Sequence, residues 1–365
     1  MVINMLVRLV KRTEVDNKKS MQIRVLAVVL ALVIVSLLLL FLKLNPLSVY
    51  GTMLKGAFGS AYGIRQTIIQ AIPLLIAGLG VSIAFKMKFW NIGGEGQIMM
   101  GAFGAALVAL NFQSLPKPLL LLLMLIVGAV LGGICVLIPT YFRVKYRTNE
   151  TITTLMMNYI VIKFITYLQY GPWRDKNSLG FPKIPNFSDN AIMPKLFGVH
   201  IGWIIAIILA VLVYIYMNYT KKGYEISVIG ESENTAKYAG MDIKKTILGA
   251  LFLSGAICGI AGVIQASAVS QTLSVEVSGG VGNTAVIIAW LGNLSSIGIS
   301  IVAVLFAALV SGARLIQTAY GIPESAASLL QAIILFCVLG SEFFVRFKLI
   351  FNGVSKKREK VQEVA

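Results

Sequence analysis

The sequence predicts an all-α protein, a polytopic bundle of about ten transmembrane helices (eight to ten) with both termini cytoplasmic. Three observations predict it. Hydrophobic residues make up 57% of the 365 positions and charged residues only 13%, with a mean hydropathy of +0.83; no soluble core requires so much apolar sequence. Apolar runs near the roughly 20 residues that cross a hydrocarbon layer recur along the whole chain, joined by segments too short to fold outside it. The basic residues, finally, gather in alternate connections.

In chain order the spans fall at 24–42, 64–85, 95–111, 119–140, 151–169, 201–219, 246–266, 284–295, 298–316 and 325–345, the eighth being short. If the N-terminus is cytoplasmic, the inside segments 1–24, 86–90, 141–150, 220–245 and 346–365 carry 22 Lys/Arg. The outside connections carry seven (Lys43, Lys55, Lys117, Arg174, Lys176, Lys183, Lys195), and Arg65, Lys163 and Arg314 lie within helices. This asymmetry is the positive-inside pattern, so the net charge of +17 reports topology and contact with anionic membrane lipid, with no nucleic-acid partner. An even number of crossings returns the basic run KKREK (356–360) to the side of the N-terminus. The expected organisation is a cytoplasmic segment 1–23, a transmembrane domain 24–348 that includes a cytoplasmic loop 221–245, and a cytoplasmic basic tail 349–365. The first apolar run is longer than a signal-peptide core and ends in LLLLFLKLNP without a small-residue cleavage pattern, so it is expected to be retained. A bacterial inner or plasma membrane fits, no organelle-targeting segment being evident. Cys135, Cys258 and Cys337 each sit alone in an apolar run, which is helix packing rather than a disulfide or metal framework. His200, the sole histidine, falls in an outside loop where a helix begins and is expected to be interfacial. The small-xxx-small pairs Gly128/Gly132 and Gly255/Gly259, with Gly262, are packing devices that carry no information about a solute.

The stretch Phe89 to Gly101, FWNIGGEGQIMMG, is different. It places Gly93, Gly94 and Gly96 around a carboxylate, Glu95, with Asn91 and Gln97 alongside. Each glycine costs a helix about 1 kcal/mol relative to alanine, so a break or a half-helix start is expected there, with free N–H donors aimed into a cavity. Two readings of Glu95 stand. It faces a cavity or organises buried hydrogen bonds, since a carboxylate at the bilayer centre costs about 2.5–3.5 kcal/mol even on the lenient scale. Alternatively it lies near the interface, solvated or paired with Lys86 or Lys88. Glu342 and Lys163 read as snorkelling or helix-pairing residues, and Arg314, Gln317 and Tyr320 as a line at helical spacing beside the same pathway or its outer mouth.

A second patterned stretch is the loop 221–245, KKGYEISVIGESENTAKYAGMDIKK. Gly230, then Glu231 and Glu233, then Ala236, Tyr238 and Ala239, with Gly240 as a stop, predict a short helix of about two turns whose acidic start suits the dipole. Such a helix suits docking of a soluble partner as well as it suits an ordinary solvated surface.

NIGGEGQ (91–97), NETITTLMMNYI (149–160), GYEISVIGESENTAKYAGMDIKK (223–245) running into SGAICGIAGVIQ (254–265), and IPESAASLLQAIILF (322–336) occur in an order that resembles the permease subunits of bacterial ATP-binding-cassette importers of the branched-chain amino acid, ribose and nucleoside group. The resemblance covers nearly the whole chain after the first helix and is greatest to the nucleoside-uptake (guanosine/purine nucleoside) branch, which the loop GPWRDKNSLGFPKIPNF (171–187) also resembles. One stretch departs: GGVGNTAVIIAWLGN (279–293) stands where many relatives have a glycine-rich segment with a large aromatic.

What the resemblance implies is transport without chemistry in this subunit. Two permease subunits, here a heterodimer, would form the pathway. An extracytoplasmic binding lipoprotein would deliver the nucleoside, and cytoplasmic ATPases would dock on the helix at 230–240, with Gly230, Glu231, Ala236, Ala239 and Gly240 as the coupling residues. ATP would be bound by that partner, this chain needing no cofactor, metal or catalytic residue. No GxxxxGK[ST], HExxH or GxSxG occurs. Nucleosides are neutral, so amides and aromatic faces suit their pathway; Asn91, Gly93, Gly94, Glu95, Gln97, Asn158 and Trp290 are the pathway residues expected. For Asn158, helix–helix hydrogen bonding is an equal reading. Ribose-type sugars or branched-chain amino acids are the alternative solutes. An ion-coupled secondary transporter, or a channel or structural subunit, remains a rival class; the first would show matching interruptions in two halves and several intramembrane acids.

Overall fold

A computed structural model describes residues 7–11, 17–176, 178 and 180–351. Of the expected terminal segments, 1–6, 12–16 and 352–365 lie outside the described residues, as does the side chain of Glu342. In chain order come strand β1 (Val7–Lys11) and helices α1 (Asn17–Phe41), α2 (Pro46–Phe58), α3 (Ala61–Lys86), α4 (Gly94–Asn111), α5 (Lys117–Tyr146) and α6 (Glu150–Tyr170). Strands β2 (Lys195–Leu196) and β3 (Val199–His200) then precede α7 (Gly202–Tyr219), α8 (Lys221–Glu231), α9 (Glu233–Tyr238) and α10 (Ile243–Ile264). The last elements are α11 (Val281–Leu291), α12 (Ser296–Tyr320), α13 (Glu324–Arg346) and β4 (Phe347–Phe351). The protein is a polytopic helical membrane protein, and each of the ten expected spans falls on a helix. Among the described residues, eight helices are long and apolar enough to cross a membrane. The other two spans are α4 and the eleven-residue α11. The strands among the described residues, outside the all-α expectation, form two small antiparallel ribbons, β1–β4 and β2–β3.

The chain divides into two compact units, 57–311 and 1–56 with 312–365. In the first, α4 packs against α5, α6, α10 and α11. Its buried residues run from Gly94 to Ala109 on nearly every side. Protein rather than lipid surrounds it, so it can carry Glu95 and Gln97 and still lie within the apolar layer. Gly128 and Gly132 of α5 face Gly255 and Gly259 of α10 so closely that a β-carbon on any of them would strike the opposing backbone or a side chain beside it; the predicted small-residue pairs are indeed the α5–α10 seam. Cys135 and Cys258 are buried free thiols, and Cys337 is half-buried and free.

One end of this unit gathers the basic connections. Lys88 Nζ donates to the Glu231 carbonyl at 3.5 Å, and Arg143 pairs with Glu150 at 3.2 Å, joining the end of α5 to the start of α6. The opposite end is built from 171–200. There Trp173 stacks on Phe103 of α4 with ring centroids 5.3 Å apart, Lys117 Nζ donates to the Asp189 carbonyl at 3.1 Å, and Phe187 N donates to the Gln271 carbonyl at 2.9 Å.

At that end His200 is 2% exposed, and neither ring nitrogen has a hydrogen-bond partner among the described residues. The expected interfacial histidine is thus an interior one. Burial, with Lys195 nearby, pushes its pKa down to about 4 from 6.5. A buried histidine with a lowered pKa stabilises the fold only while neutral, so its contribution is full above pH 6.5 and is lost as pH falls towards 4. Between pH 7.5 and pH 5 the wild type is expected to lose about 2 kcal/mol more unfolding free energy than His200→Phe. Equal losses in chemical unfolding curves at the two pH values rule this out.

In the second unit α1 packs on α13. Helix α2 was not expected: 43–63 reads as a loop because Ser48, Tyr50, Gly51, Thr52, Lys55 and Gly56 interrupt its apolar run. Asn45 accepts from Leu47 N at 3.0 Å, Pro46 supplies the preset φ of a first helical residue, and Val49 and Met53 form a buried i, i+4 pair. Tyr320, expected beside the pathway or its outer mouth, lies with its hydroxyl 2.7 Å from Ser48 Oγ and 3.3 Å from Thr52 Oγ1, fastening the end of α12 to α2.

Candidate functional site: a head-to-head helix junction at Glu95

After Lys86 the chain leaves α3, turns through Met87–Gly93 and starts α4 at Gly94, the break that the glycine cluster predicts. Three amides hold the break. Asn91 Oδ1 accepts from Gly93 N at 3.0 Å and from Gln97 Nε2 at 2.9 Å. Asn158 of α6 accepts from Gly96 N at 2.8 Å and donates from Nδ2 to the Ile92 carbonyl at 2.9 Å. Thr154, one turn earlier, accepts from Ile92 N at 3.2 Å. These side chains are all buried; Asn91 and Gln97 bond to each other, and Asn158 and Thr154 bond to the backbone of the break.

Glu95, 7% exposed, turns the other way. Segment 271–280 follows a π-helical turn, Gln265–Ser270, that continues α10, and Val275 N donates to Gln169 Oε1 at 3.2 Å. Ser278 Oγ donates to Glu95 Oε1. Gly280 N donates to the same oxygen at 3.2 Å, and Gly282 N and Asn283 N donate to Oε2 at 2.8 and 3.3 Å. Helix α11 has no side-chain cap of its own, so Glu95 satisfies the N–H groups that its first turn leaves open, and the helix dipole favours the carboxylate there. Two helices therefore start at one point, α4 and α11, with a single carboxylate between them. Gly282 makes the approach possible, because a β-carbon there would overlap the backbone of Gly94 and Glu95. The alternative pairing with Lys86 or Lys88 does not form; Lys88 is on Glu231 instead. The partners 278–283 escaped sequence reasoning, since their only signal is the run SGGVGN, which does not say which distant acid it serves.

Helix α11 ends at the basic end of the unit. Trp290 stacks on Trp90 with centroids 5.5 Å apart and planes at 25°, and Phe85 lies 5.7 Å from each. Trp90 is 46% exposed. Trp290 is thus the penultimate residue of α11, stacked on the residue that precedes Asn91.

The loop 221–245 is two helices rather than the one expected. Helix α8 precedes a break at Ser232, whose Oγ accepts from Thr235 N at 3.2 Å and caps α9; Gly240, at φ +73°, ends the segment. Gly230 lies against the Lys86 carbonyl so tightly that a β-carbon would strike it. Ala236 is fully buried, whereas Glu231, Glu233, Tyr238, Ala239 and Gly240 are exposed. Glu225, which the sequence reading passed over, is the acid that fixes α8. It accepts from Lys222 Nζ at 2.7 Å and from Thr246 Oγ1 at 2.9 Å, and the Lys222 ammonium beside it holds its carboxyl below the usual carboxylate range. That stabilisation is present at neutral pH and is lost as pH falls through the lowered pKa.

A broken helix buried among spanning helices, with a shaped helical platform at the basic end, defines a multi-pass subunit of a membrane transport system. Among the described residues no group of His, Cys, Asp or Glu is placed to hold a metal. The chain belongs to the family described as the permease component of the branched-chain amino acid transport system, whose model matches residues 63–339. It is 32% identical to the glucose ABC transporter permease protein TsgB13 of Haloferax volcanii, over 89% of this chain and 88% of that protein. It is 30% identical to the guanosine ABC transporter permease protein NupP of Bacillus subtilis, over 94% and 99% of the two chains. It is 30% identical to the nucleoside ABC transporter permease protein NupB of Lactococcus lactis, over 95% and 96%. No solved structure matches the chain. Membership of this family sets aside the ion-coupled transporter and the channel.

Proposed function

We propose that the chain is the pathway-forming permease subunit of an ATP-binding-cassette importer that takes up nucleosides across a bacterial plasma membrane. The observation that supports this most is the end-to-end match to the guanosine and nucleoside permeases, which spans 94% and 95% of this chain. In this reading the basic end is cytoplasmic. A partner ATPase binds and hydrolyses ATP and docks on α8–α9 through Gly230, Glu231, Ala236, Ala239 and Gly240. A second permease subunit completes the pathway as a heterodimer, and an extracytoplasmic lipoprotein delivers the nucleoside. The pathway runs past the break formed by Asn91, Gly93, Gly94, Glu95, Gln97 and Asn158. Glu95 organises the helix starts rather than carrying a proton, and Trp290 with Trp90 offers aromatic faces to a base at the inner mouth. A second reading, uptake of a hexose, is favoured by the glucose permease relative, which covers 89% of this chain.

The two separate in an uptake assay with the complete transporter and radiolabelled guanosine. Unlabelled purine or pyrimidine nucleosides are expected to compete, while glucose, ribose and leucine do not. Competition by glucose alone supports the hexose reading, and competition by leucine alone overturns both.

A further inference from the structure

The geometry points to a bound phospholipid on the unit 57–311, at the end opposite its basic one, its acyl chain lying between α3 and α7 and its phosphate on Arg65. A cavity of about 600 Å³ opens there. Its lining is almost wholly apolar and includes Ile68, Ala71 and Leu75 of α3 and Ala206 and Ile207 of α7. Ile68 and Ile207 are 40% and 53% exposed, so the cavity opens sideways from two membrane-spanning helices rather than into the buried junction at Glu95. Such a space is filled by hydrocarbon in a bilayer.

Its polar group is at one rim. Arg65 lies one turn inside α3, and its guanidinium rests against Gly198 in the β2–β3 turn, close enough that a β-carbon there would strike Nε and Cζ. No hydrogen bond or ion pair to another described residue engages Arg65. A guanidinium keeps its charge and presents a planar fork of donors that fits a phosphate bidentately. The same turn carries Leu196 and Phe197, which are 41% and 80% exposed, and Trp203, the second residue of α7, lines the cavity. Apolar and aromatic side chains presented outward at a helix end belong to the level of the lipid headgroups. A cation at headgroup level above an apolar slot matches a molecule with a phosphate at one end and a chain at the other. A free phosphate would leave the slot unfilled, and a protein helix would leave the guanidinium without a countercharge.

Native mass spectrometry of the assembled, detergent-purified transporter tests this by titration with phosphatidylglycerol, with diacylglycerol of the same chains, and with inorganic phosphate. One phosphatidylglycerol per chain is expected, with diacylglycerol at least about tenfold weaker and no retention of phosphate. Arg65→Gln is expected to weaken phosphatidylglycerol by about tenfold, and Ile68→Trp, which fills the slot, to remove the adduct. Equal binding of the two lipids, retention of phosphate alone, or unchanged binding by Arg65→Gln overturns the proposal. Ile207→Trp fills the slot from the other helix and replaces Ile68→Trp should that variant fail to assemble.

Discussion

Glu95→Ala is expected to abolish uptake while leaving the chain in the membrane. The carboxylate accepts from Ser278, Gly280, Gly282 and Asn283, and each buried donor left unpaired costs about 1–3 kcal/mol. The loss is concentrated where α4 and α11 begin, so α11 loses its cap and the two helix starts separate. Glu95→Gln is the informative companion. It keeps one oxygen but turns an NH₂ group towards backbone N–H donors, so it is expected to retain a small fraction of uptake and an intermediate melting temperature. Uptake of labelled solute, normalised to membrane-inserted protein, measures both. Undiminished uptake by Glu95→Ala would end the organising role. Full activity in Glu95→Gln with none in Glu95→Ala leaves that role intact and shows that charge is dispensable.

Gly230→Val and Ala236→Pro are expected to uncouple ATP hydrolysis from uptake, each by tenfold or more. A side chain at Gly230 must push α8 away from the Lys86 carbonyl. Proline at 236 removes the bond from Ala236 N to the Ser232 carbonyl, 3.1 Å long, and proline in a helix interior costs about 3 kcal/mol. Glu231→Ala is expected to abolish ATP-driven uptake as well, because its exposed carboxylate stands on the platform where the partner docks, while its backbone carbonyl keeps the contact with Lys88. ATPase activity and uptake of the reconstituted complex, measured side by side, separate these outcomes. Tight coupling in both the Gly230 and Ala236 variants would remove α8–α9 as the surface where energy enters.

Much of this architecture was legible because a membrane leaves so few ways to satisfy backbone groups. The apolar runs located ten helices, and the glycines at 93, 94 and 96 located the break before α4. The chain 43–63 was misread because α2 rests on a sparse buried stripe, Val49, Met53 and Ala57, rather than on a long apolar run. The platform at 221–240 was read as one helix because Ser232, which ends α8 and caps α9, is only a single polar residue among many. The candidate site was legible on one side only. Asn91, Glu95, Gln97 and Asn158 are polar residues in apolar surroundings and so stand out. Ser278, Gly280 and Gly282 lie more than 180 residues away and contribute a hydroxyl and backbone N–H groups, which leave almost no mark in a sequence. Glu225 was passed over because its pairing with Thr246 crosses from α8 to α10.

Helix α11 spans roughly 16 Å at 1.5 Å per residue, and both of its ends are held: the first turn by the Glu95 carboxylate, the last by Trp290 on Trp90. A strut fastened at both ends cannot slide along its axis. It can tilt as a body, or it can release one fastening. The indole stack is partly open to the surface at Trp90 and shares its contact with Phe85, whereas the carboxylate is buried and receives four hydrogen bonds. Motion applied at the basic end is therefore expected to part the tryptophans first and to swing α11 about Glu95, which makes the carboxylate the pivot and the aromatic pair the latch.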